Sequence, residues 1–242
     1  MLYSVVIPLK NEEGNILDLV NELEPIMQGL GSMEGHAKPA KPFWELICID
    51  DGSTDNTPKI LARLVKQKNY LRVLTFVKNC GQSSAFDAGF KAAQGDFVIT
   101  LDGDRQNDPA DIPKLLKAAA GSDLVCGRRI KRKDTLIKRW TSYCANQVRR
   151  RVCCDGVSDT GCSLKIYRRK CLGQIKMFHG MHRFLPALFQ IEGFRVIEVP
   201  VNHRERVTGQ SNYNFLNRSM NTIVDMFAVW WMRKRRLAYK IK

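Results

Sequence analysis

Residues 96–104 read Asp96-Phe97-Val98-Ile99-Thr100-Leu101-Asp102-Gly103-Asp104. A short, continuous apolar run that closes on a glycine between two carboxylates has the make-up of a strand buried on both faces and ending in a polar turn. Three other runs share this form: Tyr3–Leu9, Trp44–Asp50 and Leu71–Val77. Each is rich in Val, Ile, Leu or Phe, and none shows the strict polar alternation of a half-exposed strand. Two of them also close on polar residues, Pro8 through Glu12 and Asp50-Asp51-Gly52-Ser53.

Helical patterns fill the intervals. Ile16, Leu19, Val20, Leu23, Ile26, Met27 and Leu30 recur at helical spacing, with Pro25 expected to kink or shorten that helix. Thr57-Pro58 opens a second helix, with Ile60, Leu61, Leu64 and Val65 expected on its inner face. A third runs from about Gln82 to Gln94, and Gly95 is expected to end it. A fourth follows Pro109 and carries Ile112, Leu115 and Leu116, while Gly29 to Pro42 reads as a surface loop. Strands alternating with helices predict an α/β, Rossmann-like, mainly parallel sheet flanked by helices, with ligands at the carboxyl ends of the strands. Beyond Gly127 come a basic helical stretch, a strand near Ser163–Tyr167, a helix, a strand at Phe194–Asn202 and a last helix. The expected organisation is a catalytic unit over residues 1–212 and a basic amphipathic helix over 213–242.

The 242 residues carry 39 Lys and Arg against 24 Asp and Glu, a net charge of +15 that calls for an anionic partner: nucleic acid, acidic membrane or a phosphorylated substrate. The eight cysteines form no C-x-x-C pair, and strand residues begin almost at once, so reduced thiols, a cytoplasmic location and no signal peptide are expected. No stretch approaches the roughly 20 apolar residues that span a bilayer. Asp102 and Asp104, one residue apart on a turn, can face one point and bind a hard divalent cation. Such a cation would stabilise a departing diphosphate. Asp50, Asp51, Ser53, Thr54 and Asp55 form a second cluster whose carboxylates suit a nucleobase N–H or ribose hydroxyls, or cap the next helix. Neither a G-x-G-x-x-G nor a Walker lysine loop is present.

The string Val5-Val6-Ile7-Pro8 leading to Asn11-Glu12, then Ile49-Asp50-Asp51-Gly52-Ser53 and Asp55-Asn56-Thr57, resembles glycosyltransferase family 2. Asn79, Gly81, Gln82, Ala88, Gly89, Ala93, Gly95 and Asp96, followed by Leu101-Asp102-Gly103-Asp104-Arg105-Gln106 and Asp108-Pro109, narrow the likeness. They are similar to the branch that holds dolichol-phosphate mannose synthase and bacterial polyprenyl-phosphate glycosyltransferases. The resemblance implies a glycosyltransferase-A fold, Mg²⁺ or Mn²⁺ dependence, and inverting transfer from a GDP- or UDP-sugar to a polyprenyl phosphate. By position it implies that Pro8, Asn11, Glu12, Asp51, Ser53 and Asp102 border the nucleotide, and that Asp102, Asp104 and Gln106 meet the metal. Arg129, Arg206 and Ser211 match positions that hold phosphates, and Asn212 stands where the family's loop ends in lysine. Asp104, Asp159, Arg129 and Arg206 are the expected catalytic group. Asp159 is either a base or an orienting residue; an acceptor phosphate monoester, with a second pKa near ~6, needs no strong base.

The histidines are weaker signals. His179 and His182 lack a completing ligand, and His203 lies in sequence near Arg206. Ten Lys and Arg residues lie from Arg128 to Arg151, and Arg233-Lys234-Arg235-Arg236 follow an apolar stripe of Leu216, Met220, Ile223, Val224, Phe227, Ala228 and Trp231. Tryptophan beside a basic cluster marks a helix lying on an anionic membrane surface, which places the enzyme peripherally on the inner face. Packing on the domain or a homo-oligomer contact is the competing use of that stripe. The functional rivals are a relative with a sugar-hydroxyl or diacylglycerol acceptor, and a silent basic protein binding RNA or lipid. The intact Asp102, Asp104 and Gln106 argue against silence, and the apolar, tryptophan-bearing last helix favours a membrane over nucleic acid as the anionic partner.

Overall fold

The computed structural model describes residues 2–33, 43–130, 147, 149–153, 155–205 and 215–237, with the backbone alone for 32–33 and 215–220. The strands are β1 (Tyr3–Leu9), β2 (Trp44–Asp50), β3 (Leu71–Thr75), β4 (Phe97–Thr100), β5 (Leu124–Arg129), β6 (Lys165–Arg168) and β7 (Val196–Val201). The helices are α1 (Ile16–Met33), α2 (Thr57–Gln67), α3 (Gln82–Ala92), α4 (Ile112–Ala119), α5 (Arg169–Leu172), α6 (Leu185–Ile191) and α7 (Phe215–Lys234). The described strands make one sheet in the order β3-β2-β1-β4-β6-β5-β7. Strand β1 pairs in parallel with β2 and β4, β2 with β3, and β5 with β7, while β6 runs antiparallel to both β4 and β5.

The two faces of the sheet are covered by different helices. Val5, Ile7 and Leu9 of β1, Leu46 and Cys48 of β2, and Ile99 of β4 pack with Ile16, Leu19 and Leu23 of α1, Leu61 and Leu64 of α2, and Ile112 and Leu115 of α4. Val6, Ile47, Ile49 and Val98 point the other way, onto Ala85, Phe86 and Phe90 of α3 and Leu185 and Phe189 of α6. Covering both faces is the reason the strand sequences read as unbroken apolar runs. A third cluster joins α6 to α7 through Met181, Phe184, Leu188, Ile191 and Val229.

Several local expectations are corrected. Helix α1 continues through Pro25, Gly29 and Gly31 to Met33. Its buried side, Leu23 and Met27, packs under the sheet, and this tertiary packing outweighs the missing proline N–H at an exposed position. Val65 of α2 is exposed, so the inner face is Ile60, Leu61 and Leu64. Strand β3 stops at Thr75, and Val77 stands fully in solvent. Strand β5 is not among the strands expected above, because its apolar run is only Leu124-Val125-Cys126 before Gly127-Arg128-Arg129. The six described cysteines are free, and all but Cys80 are buried.

Gly95 does not supply a left-handed helix cap. Helix α3 ends at Ala92 with Ala93 extended, and Gly95 lies against β1, where a Cβ would sit 2.6 Å from Ser4 N and 2.8 Å from Leu2 O. Its own N–H donates to Ser4 Oγ at 2.7 Å. Backbone of a central strand cannot yield as a flexible side chain would. Gly95→Ala is expected to lower unfolding stability by about 1–3 kcal/mol, the usual penalty for overpacking. A urea midpoint equal to the parent's would show that β1 can move after all.

Candidate active site

The three parallel strands β1, β2 and β4 deliver their carboxyl ends side by side, with Leu9 in register with Asp50 and Val6 with Thr100. The loops leaving β1 and β2 are laced together. Asn11, in a left-handed conformation (φ 56°), donates its N–H to Ser53 Oγ at 2.9 Å and accepts from Thr54 N at 2.8 Å. Glu12 N donates to Thr57 Oγ1 at 2.8 Å, and Asp55 accepts from Glu13 N and Thr57 N. Asp55 therefore holds the first N–H of α2 and ties the loops. Pro8 sits in register with Ile49, and Glu12 lies against Gly103, where a Cβ would come 3.2 Å from Glu12 Cγ.

Asp51 and Asp102 are held by opposite sides of the α3 amino terminus. Asp51 accepts from Cys80 N at 2.6 Å and Gly81 N at 2.9 Å. Asp102 accepts from Gln82 Nε2 at 3.0 Å and from the Ser163 hydroxyl. Gly52 permits this arrangement: at φ 65° a side chain there would strike Lys78 and Asn79 backbone at 2.7 and 2.8 Å. Asp50 Oδ1 accepts from Ser53 N, and its Oδ2 is buried without a partner.

Asp104 is buried and accepts from Gln106 N at 3.1 Å, closing a turn whose middle residue, Arg105, is left-handed at φ 61°. A non-glycine residue there costs of order 1 kcal/mol or more. The Arg105 side chain offsets this by pairing with Asp18 (2.6 Å) and Glu22 on α1. Glu22 also pairs with Arg204 at 2.5 Å, and Arg204 with Asp108 at 2.8 Å. Arg204 N donates to Gln106 O, and Asn107 bridges His203. The acidic turn and the chain leaving β7 are thus one clamped unit on α1.

On the far side, Asp159 takes a two-pronged ion pair from Arg129, with Nε to Oδ2 at 2.7 Å and Nη2 to Oδ1 at 2.8 Å. Burial opposes the Arg129 charge, but Asp159 outweighs it and holds the guanidinium proton above its ordinary range. Glu198 of β7 fixes the loop from below, accepting from Ser158 N and Asp159 N at 2.9 and 3.0 Å. His203 lies within electrostatic reach of Arg129, Asp104 and Asp159; burial first, then the Arg129 cation, keep its imidazole below the usual range. Its Nδ1 is buried and unpartnered. His182 is structural instead, at 2.7 Å from Ser83 Oγ on α3.

Burial first, then the Asp104 carboxylate, push the Asp102 carboxyl above the ordinary carboxylate range. A buried carboxylate with a second one beside it forms a site that a divalent cation relieves. Among the described residues no three His, Cys, Asp or Glu side chains form a ready cage. That suits Mg²⁺ or Mn²⁺ held by one or two carboxylates together with substrate phosphates. Arg206, Gly209, Ser211 and Asn212 lie outside the described residues, as does the basic stretch 131–146.

This mainly parallel sheet with acidic strand ends defines a glycosyltransferase of the glycosyltransferase-A fold. The family model described as Glycosyl transferase family 2 matches residues 4–176, and the chain belongs to that family. Dodecaprenyl-phosphate galacturonate synthase of Rhizobium johnstonii is 36% identical over 237 residues, covering 96% of this chain and 67% of that protein. Glucosyl-3-phosphoglycerate synthase from Mycobacterium tuberculosis, solved with Mn²⁺, uridine-diphosphate and glucosyl-3-phosphoglycerate, has the same fold. It superposes with a TM-score of 0.68 at 20% identity, covering 96% of this chain and 79% of that one. A mannosyltransferase from Pyrobaculum calidifontis in complex with GDP-Man and Mn²⁺ superposes at 0.60 and 20% identity, over 93% of this chain and 63% of its own.

The raised Asp102 carboxyl has a measurable consequence. A group whose native pKa lies above its unfolded value costs stability once pH rises through that native value. Metal-free Asp102→Asn should therefore melt above the parent at pH 7, with the gap closing as pH falls toward ordinary carboxylate values, and should lose Mn²⁺-induced stabilisation. A variant melting below the parent at pH 7 would mean that the Gln82 and Ser163 hydrogen bonds outweigh the buried charge.

Proposed function

We propose that the enzyme moves a sugar, with inversion, from a nucleotide diphosphate sugar to a polyprenyl phosphate. The observation that carries this reading is the meeting of Asp51, Asp102, Asp104 and the Arg129–Asp159 pair at one sheet edge in a family 2 chain. The polyprenyl acceptor is supported by the 36%-identical dodecaprenyl-phosphate galacturonate synthase.

Asp51 receives the base, with Pro8, Asn11, Glu12 and Ser53 bordering the nucleotide. Its carboxylate is already aimed by the Cys80 and Gly81 amides, so no reorganisation is needed on binding. Asp102 and Asp104, with Gln106, would hold Mg²⁺ or Mn²⁺, which supplies Lewis-acid stabilisation of the leaving diphosphate. Arg129 spends two of its donor directions on Asp159 and keeps the others for phosphate oxygens. Asp159 therefore works as the orienting partner of a cation. An acceptor phosphate is anionic near neutral pH and attacks without a base. Arg206 and Ser211, which match the family's phosphate-holding positions, are the further contacts proposed for the acceptor phosphate. Residues 1–212 form the catalytic unit, and the segment 213–242, which holds α7, is the interfacial part.

The helix carries a second reading, peripheral membrane docking. Ile223, Val224, Phe227, Trp230 and Trp231 are exposed on α7, whereas Val229 is buried and Met226 and Met232 pack against the α6 cluster. The stripe named from sequence is thus largely the outer face, available to a membrane. Among the described residues no helix is long and apolar enough to cross one.

Two outcomes are expected. Nucleotide diphosphate release should require Mn²⁺ or Mg²⁺ and polyprenyl phosphate, yield a sugar phosphate labile to mild acid, and vanish in Asp104→Ala. Full turnover in chelator or in that variant would remove the metal assignment, and an acid-stable product would point to a hydroxyl acceptor. For docking, Phe227→Ser with Trp231→Ser should weaken partition onto acidic vesicles by about tenfold or more, since each buried large apolar side chain contributes roughly 1.5–3 kcal/mol. Unchanged co-sedimentation with an unchanged melting midpoint would assign that face to self-association.

A further inference from the structure

Lys165 carries a charge in the middle of the sheet. It stands on β6, in register with Thr100 of β4 and Cys126 of β5, and is 4% exposed. Among the described residues its hydrogen bonds go to backbone carbonyls and not to a carboxylate. An ammonium taken out of water without a counter-ion is costly, so such a residue persists where its donors have fixed work. Both of these donors serve one short turn. Lys165 Nζ donates to Thr160 O at 3.3 Å and to Cys162 O. Thr100 Oγ1 donates to Ser163 O, in the same turn, at 2.6 Å. Two adjacent strands therefore grip the Thr160–Ser163 backbone from below.

That turn touches both halves of the site. On one side the Ser163 hydroxyl donates to Asp102. On the other, the backbone at Gly161 lies flush against the Arg129–Asp159 pair: a Cβ there would come 3.0 Å from Arg129 Nη2 and 3.7 Å from Asp159 Oδ1. A shift of the turn therefore shifts Asp102 relative to Arg129. Asp51 is outside this linkage, since its carboxylate is held by the Cys80 and Gly81 amides. Resting on the assignment of Asp102 to the metal and Arg129 to phosphate, we propose that Lys165 is a positioning residue for the transfer reaction. It fixes the Thr160–Ser163 turn, and with it the spacing between the metal-binding carboxylate and the guanidinium, so that one diphosphate engages both. A side chain of similar length without the ammonium would fill the space and hold neither carbonyl.

The test separates the nucleoside from its second phosphate. Binding of UMP and UDP, and of GMP and GDP, to the full chain in Mn²⁺ is measured by calorimetry, and the series that the parent binds is followed. The parent is expected to hold the diphosphate at least about tenfold more tightly than the monophosphate, the usual scale of charge-assisted contacts. Lys165→Met should keep the monophosphate affinity within about twofold while cutting that gain to about threefold or less, because the Asp51 end does not share the turn. Arg129→Gln should remove much of the gain from the parent and little more from Lys165→Met, since the two act through one piece of backbone. Thr100→Val releases the same turn at Ser163 O, leaves every charge in place, and should reduce the gain in the same sense. It decides the matter alone if Lys165→Met does not fold. A gain kept in the variants would overturn the proposal. So would monophosphate affinity falling as far as diphosphate affinity, or strictly additive losses with Arg129→Gln, either of which makes Lys165 a residue of general stability. A parent that gains nothing from the second phosphate in Mn²⁺ refutes the metal and arginine assignments themselves, whereas a parent that gains and variants that keep the gain refute Lys165 only.

Discussion

Strand β1 accepts parallel partners on both edges, and this single constraint places everything chemical in the molecule. Parallel pairing makes β1, β2 and β4 finish on the same side of the sheet, so the acids that follow each strand converge although some fifty residues lie between Asp51 and Asp102. The same geometry leaves polar backbone crowded at that edge. It is satisfied by side chains of the neighbouring loop: Asn11 with Thr54, Ser53 with Asn11, Thr57 with Glu12 and Asp51 with Cys80 and Gly81. Residues marked by the family resemblance as nucleotide contacts therefore also hold the loops in shape. Preorganisation of this kind lets a site act without rearranging its dipoles when charge develops.

The acidic half of the site is balanced by fixed cations of two kinds. Arg105 and Arg204 are consumed structurally: burial works against the Glu22 charge, but Arg204 and Arg105 outweigh it and hold its carboxyl below the usual range, so the clamp is fully charged near neutrality. Arg129, within electrostatic reach of Asp102, is held in place by Asp159, which is itself held by Glu198. A chain from β7 to β5 thus positions one guanidinium. The large positive net charge is a property of the basic sequence from Arg128 to Arg151 and of the last helix more than of this balanced centre.

The sheet was legible where burial on both faces produced long apolar runs, and the starts and ends of β1 and β2 fall where those runs do. It was not legible in β5, where three apolar residues carry the strand, nor in α1, whose proline is outweighed by packing that only the folded chain displays. Asp102 and Asp104 could be found because their spacing is local. The role of Asp159 could not, since its partner Arg129 is thirty residues away and its support, Glu198, is farther still. His203 had only its nearness in sequence to Arg206 as a signal, while its place beside Asp104 depends on the Asn107 bridge. Glu198 did leave a trace, a lone acid within an apolar strand, Val196-Ile197-Glu198-Val199. Such a residue on a half-buried edge strand calls for backbone donors nearby.

The reversed strand β6 sets the order in which this protein can be assembled as it leaves the ribosome. Strands β1 to β4 find their neighbours among residues already made, because each pairs with another of the first four. Strand β5 has no such option: its partners are β6 and β7, both synthesised later. Until residues 165–168 emerge, β4 presents an open edge and β5 remains without a sheet. Open edges are where growing chains pair wrongly. About thirty-five residues separate β5 from β6, and the time taken to make them sets how long the β4 edge stays open.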